Sequence, residues 1–84
     1  MEQDSVNNIV AMLSQIEEDD SVPKNIRSKI KLTRTRLMDN AIETEIKCDR
    51  SIQELDDIAK DPAMPGYVRP QIWNILSILE SNRL

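Results

Sequence analysis

One pattern occurs twice in this chain. Leu13, Ile16, Asp19, Pro23, Arg27 and Ile30 recur as Leu55, Ile58, Asp61, Pro65, Arg69 and Ile72, each 42 positions later in a chain of 84 residues. Leu37/Leu79 and Asn40/Asn82 extend the register, and Val22/Met64 and Ile26/Val68 add conservative matches. A fixed period of this length marks a duplicated supersecondary unit, so it constrains the architecture before any single residue does. The expected organisation is one domain over residues 1–84, with repeat 1 at about 4–40 and repeat 2 at about 46–84.

Apolar spacing sets the class of element. Val6, Ile9, Val10, Leu13 and Ile16 fall on one helical face, with Asp4 or Ser5 available as N-cap, and the helix should stop in the acidic turn at 18–21. A second helix should begin at Pro23, a residue suited to a first helical position because its missing N–H would be unsatisfied there anyway. Ile26, Ile30, Thr33 and Leu37 form its stripe. Cys48, Ile52, Leu55 and Ile58 mirror the first helix, although Ile42 and Ile46 are out of phase and leave its start open. A fourth helix near Pro65 or Gly66 carries Val68, Ile72, Ile75, Leu76 and Leu79, and Pro70 inside it implies a kink or a late start. One glycine and few β-branched runs between turns argue against strands. The expectation is an all-α fold: a closed, up-and-down four-helix bundle of two similar αα-hairpins.

The turns carry the most pointed signal. Asp-x-x-Val/Met-Pro-x-x-Ile/Val-Arg stands at 19–27 and again at 61–69. An acid at a helix C-terminus opposes the macrodipole, and an arginine one turn into the next helix can reach back to its carboxylate. Asp19, Pro23 and Arg27, with Asp61, Pro65 and Arg69, are therefore expected to be structural turn clamps. The pattern is similar to HEAT-type helical repeats, in which an Asp in the turn and a proline and Val-Arg pair open the second helix. It resembles more closely an archaeal family of uncharacterised proteins, the one numbered 0147. The resemblance rests on the doubled D-x-x-x-P turns and on Asp61-Pro62-Ala63-Met64-Pro65, Arg69, Ile72-Trp73 and Leu76-Ser77-Ile78-Leu79-Glu80. It implies an archaeal source and a helical-bundle fold, and it implies no activity.

The inventory leaves little for catalysis. Histidine is absent, which removes the commonest general base and the commonest metal ligand. No Gly-rich phosphate loop, C-x-x-C, G-x-S-x-G or H-E-x-x-H motif occurs. Cys48 stands alone and matches Val6 in the repeat, which suits a small buried hydrophobe better than a nucleophile. The expected protein is not an enzyme and has no cofactor, metal or small-molecule substrate. Without a leader-like start or a long apolar run, it is expected in the cytoplasm and not in a membrane.

Net charge is −4, unevenly spread. Residues 1–20 hold acids alone, and residues 21–38 hold bases alone: Lys24, Arg27, Lys29, Lys31, Arg34 and Arg36. Lys24, Arg27, Lys31 and Arg34 form one helical stripe, a candidate nucleic-acid contact; against that, bases flanking an apolar seam pair with acids of neighbouring helices. The other candidate surface lies on the fourth helix. Trp73 and Ile78 widen its apolar arc beyond one bundle face, where repeat 1 has Lys31 and Arg36. With Tyr67 and Leu76 they make a candidate partner-binding set, for self-association or for another protein, and core burial of Trp73 is the competing reading. A protein-interaction or structural module is the first functional expectation, and a nucleic-acid accessory protein is the alternative.

Overall fold

The structure, a computed structural model, describes residues 3–81. Asn82, which extends the sequence register, lies outside the described residues. Four helices follow in order: α1 (Gln3–Glu17), α2 (Lys24–Leu37), α3 (Thr44–Ala59) and α4 (Arg69–Ser81). No strand occurs among the described residues. Each helix packs on the next, and α4 returns to α1 along the thinnest seam, which closes the ring. The radius of gyration is 11.9 Å, against about 12 Å for a folded globule of this length. The hairpins therefore close on each other and do not stack as an open solenoid.

Every helix contributes one stripe to the core. Ile9, Leu13 and Ile16 of α1 meet Ile26, Ile30 and Leu37 of α2, Cys48, Leu55 and Ile58 of α3, and Ile72, Ile75 and Leu79 of α4. Each buried Ile or Leu contributes about 1.5–3 kcal/mol relative to an exposed one, so these stripes dominate stability. Cys48 sits within the cluster, 2% exposed, as expected of a small hydrophobe. Val6 and Val10 are only half-buried and line a cleft with Leu37, Met38 and Lys47. Two hydroxyls are fully buried. Thr33 donates to Glu54 at 2.8 Å, with the Lys29 carbonyl at 3.1 Å. Ser51 finds no partner among the described residues, although it stands where the repeat places Ile9.

One turn geometry serves all three junctions. Asp19, Asp39 and Asp61 each accept, through Oδ1, the backbone N–H two residues on (Ser21, Ala41 and Ala63), all at 2.9 Å. Each aspartate carbonyl accepts the N–H of the residue after that, from Val22, Ile42 and Met64. Each aspartate N–H donates back to the third residue before it, in the last turn of the preceding helix. A short carboxylate closing onto its own backbone is what makes Asp a turn residue. The second copy, at 39–47, is one that the sequence pattern does not announce, because Glu43 stands for the proline and Lys47 for the arginine.

The basic residue eight positions after each aspartate closes the turn, but not onto the carboxylate as expected. Arg27 Nε donates to the Val22 carbonyl at 2.9 Å, and its ion pair is a loose one with Asp20 at 3.9 Å. Arg69 donates to the carbonyls of Ala59 at 2.9 Å and Asp61 at 3.2 Å. Lys47 reaches the Asp39 carbonyl at 3.3 Å. Three of the four accepting carbonyls, those of Val22, Asp39 and Asp61, belong to the turns, and only that of Ala59 is a helix-end carbonyl.

Helix boundaries also differ in detail from expectation. α1 is already helical at Gln3, ahead of both candidate caps. Pro23 is the N-cap of α2 at φ −55°, ψ 145°, one position before the helix, and its carbonyl accepts from Ile26 and Arg27. α3 starts at Thr44, because Ile42 belongs to the turn as Val22 and Met64 do. α4 starts late, at Arg69, so Pro70 falls in its first turn, where no N–H is required and no kink follows.

Ser51→Ala should raise stability by about 1 kcal/mol, since it removes a hydroxyl desolvated without compensation; urea unfolding followed by circular dichroism measures it, and a destabilised variant would mean the hydroxyl is bonded. Arg69→Met keeps the aliphatic stem and removes both carbonyl bonds, so it should cost about 1–3 kcal/mol in the same assay.

Candidate functional site

The α4 surface is built by its register. Ile72, Ile75, Leu76 and Leu79 occupy the inward stripe at helical spacing, and the residue after Ile72 is rotated by about 100°. Trp73 is therefore outside, 56% exposed. Its surroundings are neutral: Pro70, Gln71, Asn74 and Ser77 share with it one shallow, open surface. The charges of α4 are confined to Arg69 and Glu80, at its two ends.

The four candidate partner-binding residues do not form one patch. Tyr67 and Trp73 are exposed, Ile78 is half-buried against the core, and Leu76 is 8% exposed and belongs to the core itself. Leu76 is thus corrected from surface to core. It follows Ile72 by one helical turn, so it shares the inward face.

Tyr67 does something different: its hydroxyl donates to Asp19 Oδ2 at 2.5 Å, joining the first turn to the third. This bond, then the Ser21 amide, hold the Asp19 carboxyl below its ordinary range. The same bond raises the Tyr67 phenol, because ionisation would set two anions against each other. The favourable interaction is thus present above the ordinary carboxylate range and disappears as pH falls through the depressed Asp19 value. At the alkaline end it is complete below the ordinary phenol value and disappears as pH rises through the raised one.

The basic stripe of α2 is largely absorbed by the fold. Arg34 meets Glu17 of α1 with both arms of its guanidinium, Nε at 2.5 Å and Nη2 at 3.3 Å, and this bond raises the Arg34 pKa further. Arg36 pairs with Glu54 of α3, the carboxylate that also accepts from Thr33. Arg27 is engaged at the turn. Of the four candidate nucleic-acid contacts, Lys24 and Lys31 remain exposed, alternating in sequence with the committed Arg27 and Arg34. Among the described residues no cluster of three metal-ligating side chains forms, and no helix is long and apolar enough to cross a membrane.

Two features escape the sequence pattern. Leu32 projects from α2 at 63% exposure beside Lys29, Glu54 and Asp57; its offset from the Ile26–Ile30–Thr33 stripe was the available signal. Lys47, 7% exposed, lies in the α1–α2–α3 cleft as the third turn-closing base, foreshadowed by its spacing of eight from Asp39.

Comparison with known proteins places this geometry. Residues 1–81 match UPF0147, an uncharacterised protein family. The chain belongs to that family. A UPF0147 protein of Saccharolobus islandicus is 37% identical over 76 residues, covering 90% of this chain and 85% of the relative. A UPF0147 protein of Thermoplasma volcanium is 30% identical over 81 residues, covering 96% and 91%. The crystal structure of MMP1188, a protein of unknown function, is similar to this one with a TM-score of 0.91 at 39% identity, over 100% of this chain and 96% of that one. UPF0147 is thus a family of archaeal four-helix proteins, and membership in it carries no assigned role.

Tyr67→Phe should release Asp19, so that its carboxyl titrates closer to the ordinary value of 3.8 in a carbon-detected NMR titration. An unchanged Asp19 curve would show that the tyrosine does not hold it.

Proposed function

We propose that this UPF0147 protein is a non-catalytic helical module of the cytoplasm that docks a protein partner on the outer face of α4. The observation that carries the reading is Trp73, 56% exposed on a helix without a charge between Arg69 and Glu80. Burying an indole in an interface removes a large apolar area from water, and no ionised group beside it has to be desolvated. Interfaces are depleted of charge at their centres for the same reason. Scattered exposed hydrophobics need no explanation in general. Here the chain is 31% charged, and residues 70–79 carry none of that charge.

Nucleic-acid binding through α2 is the weaker reading. Arg27 and Arg34 already have carbonyl or carboxylate partners, so two exposed lysines would carry the contact on a chain of net charge −4.

A photo-crosslinking residue introduced at position 71 or 74 of the full chain, in cells of the source organism, tests the docking face. Adducts should form from 71 and 74, fail to form from position 32, and fall at least ten-fold in a Trp73→Ala background. Equal adducts from position 32, or adducts indifferent to Trp73→Ala, would remove the reading.

A further inference from the structure

Lys47 is the one charged side chain that the fold buries among the described residues, at 7% exposure. Its ammonium donates to the Asp39 carbonyl at 3.3 Å, a long bond that uses one of three hydrogens. Among the described residues no carboxylate stands within 4.0 Å of it. Glu43 and Glu45 lie close in sequence, but both are exposed and neither pairs with it. Arg34 and Arg36 are less deeply buried, and each holds a carboxylate. Buried charges are ordinarily paired, because desolvating one costs far more than a single bond to a neutral carbonyl returns. The fold therefore leaves a buried cation without a counter-ion.

Lys47 lines a cleft of about 260 Å³ between the first half of α1, the end of α2 and the start of α3. Val6, Val10, Leu37 and Met38 supply its apolar surface, and Asn40 and Thr44 add side-chain donors beside the ammonium. Thr44 is also the first residue of α3, and the Glu43 side chain bonds no amide of that helix. The positive end of the α3 dipole thus has no side-chain cap where the unpaired ammonium lies.

We propose that this cleft binds a small monocarboxylate with an aliphatic tail. The carboxylate is the counter-ion of Lys47, and the tail lies against Val6, Val10, Leu37 and Met38. Charge selects the head group. Lys47 is the only base lining the cleft, so a single negative charge is matched, whereas a dianion such as phosphate would bring a second one with no partner. The apolar surface selects the tail, since a bare acetate would leave it uncovered.

The identity of the closing base agrees with this role. Arg69 spends two nitrogens of its guanidinium on carbonyls, and Arg27 donates to one. The ammonium of Lys47 closes its turn with one hydrogen and keeps two for a ligand. No residue of α4 lines the cleft, so this site is independent of the docking face proposed above. A cleft of 260 Å³ is below the roughly 300–1,000 Å³ of drug-sized sites and suits about ten non-hydrogen atoms. A ligand of that size binds with a dissociation constant on the order of 0.1–1 mM.

Titration of the full chain with hexanoate, followed by methyl carbon–proton NMR, tests the site. Saturable shifts are expected at the methyls of Val6, Val10 and Leu37, with the constant in that range. Hexanamide, which has the same tail and no charge, and inorganic phosphate should each bind at least about ten-fold more weakly. Lys47→Met keeps the buried stem, removes the ammonium and should weaken hexanoate at least about ten-fold. Asn40→Asp, at an exposed position, sets a competing carboxylate in the cleft and should weaken it at least about five-fold. Circular dichroism checks both variants, and Asn40→Asp decides alone where Lys47→Met loses its helices. The proposal is overturned by no saturable shift up to about 20 mM hexanoate, well above the expected constant. Equal binding of hexanamide overturns it too, as does unchanged binding in either folded variant.

Discussion

Three short junctions have to end one helix and start the next while leaving no backbone group stranded, and the rest of the bundle depends on how they do so. The terminal carbonyls of an α-helix have no donors of their own. In this fold a side chain fixed by sequence spacing, Arg27, Lys47 or Arg69, each eight residues after a turn aspartate, donates to carbonyls of the turn, and Arg69 also to the last carbonyl of α3. The aspartate has a separate task, holding the turn amides. Once turn and closing base are set, the following helix leaves antiparallel to the last, and its apolar stripe meets the core without further adjustment.

The closing bases also bear on electrostatics. A run of six bases in α2 reads as a surface for an anion, yet Arg27 is spent on a carbonyl, and Arg34 and Arg36 on carboxylates of the flanking helices. α2 sits between α1 and α3 in the ring, so its arginines are matched internally, while Lys24, Lys29 and Lys31 are exposed. Among the described residues no such ion pair crosses the seam between α1 and α4. Their bodies, residues 5–16 and 70–79, contain no ionisable side chain that needs one. A docking face is read on α4 because it can be covered without desolvating a charge.

Much of this was legible in the residues. The apolar stripes, two of the turns and the absence of strands follow from spacing, since helical periodicity and Asp-turn chemistry are local. The middle turn was written in the same code, as Asp39, Ile42 and Lys47, but Glu43 in place of proline and Lys in place of arginine hid it. The partner of the arginines was not legible. A carboxylate attracts a guanidinium on paper, but Arg27 and Arg69 donate to backbone carbonyls, while Asp19 and Asp61 each hold a turn amide. Leu76 reads both on the inward stripe and in the partner-binding set, and burial decides for the stripe that its spacing from Ile72 indicates.

The sequence by itself determined an all-helical chain, its turns and its membership in a recognisable archaeal family, because each rests on contacts among residues close along the chain. Only the tertiary structure decided which surface is left over. Tyr67 meeting Asp19, Arg34 meeting Glu17, and α4 lying beside α1 join residues far apart in the chain. Which charges are spent and which faces stay uncharged depends on those long-range pairings, and no local pattern specifies them.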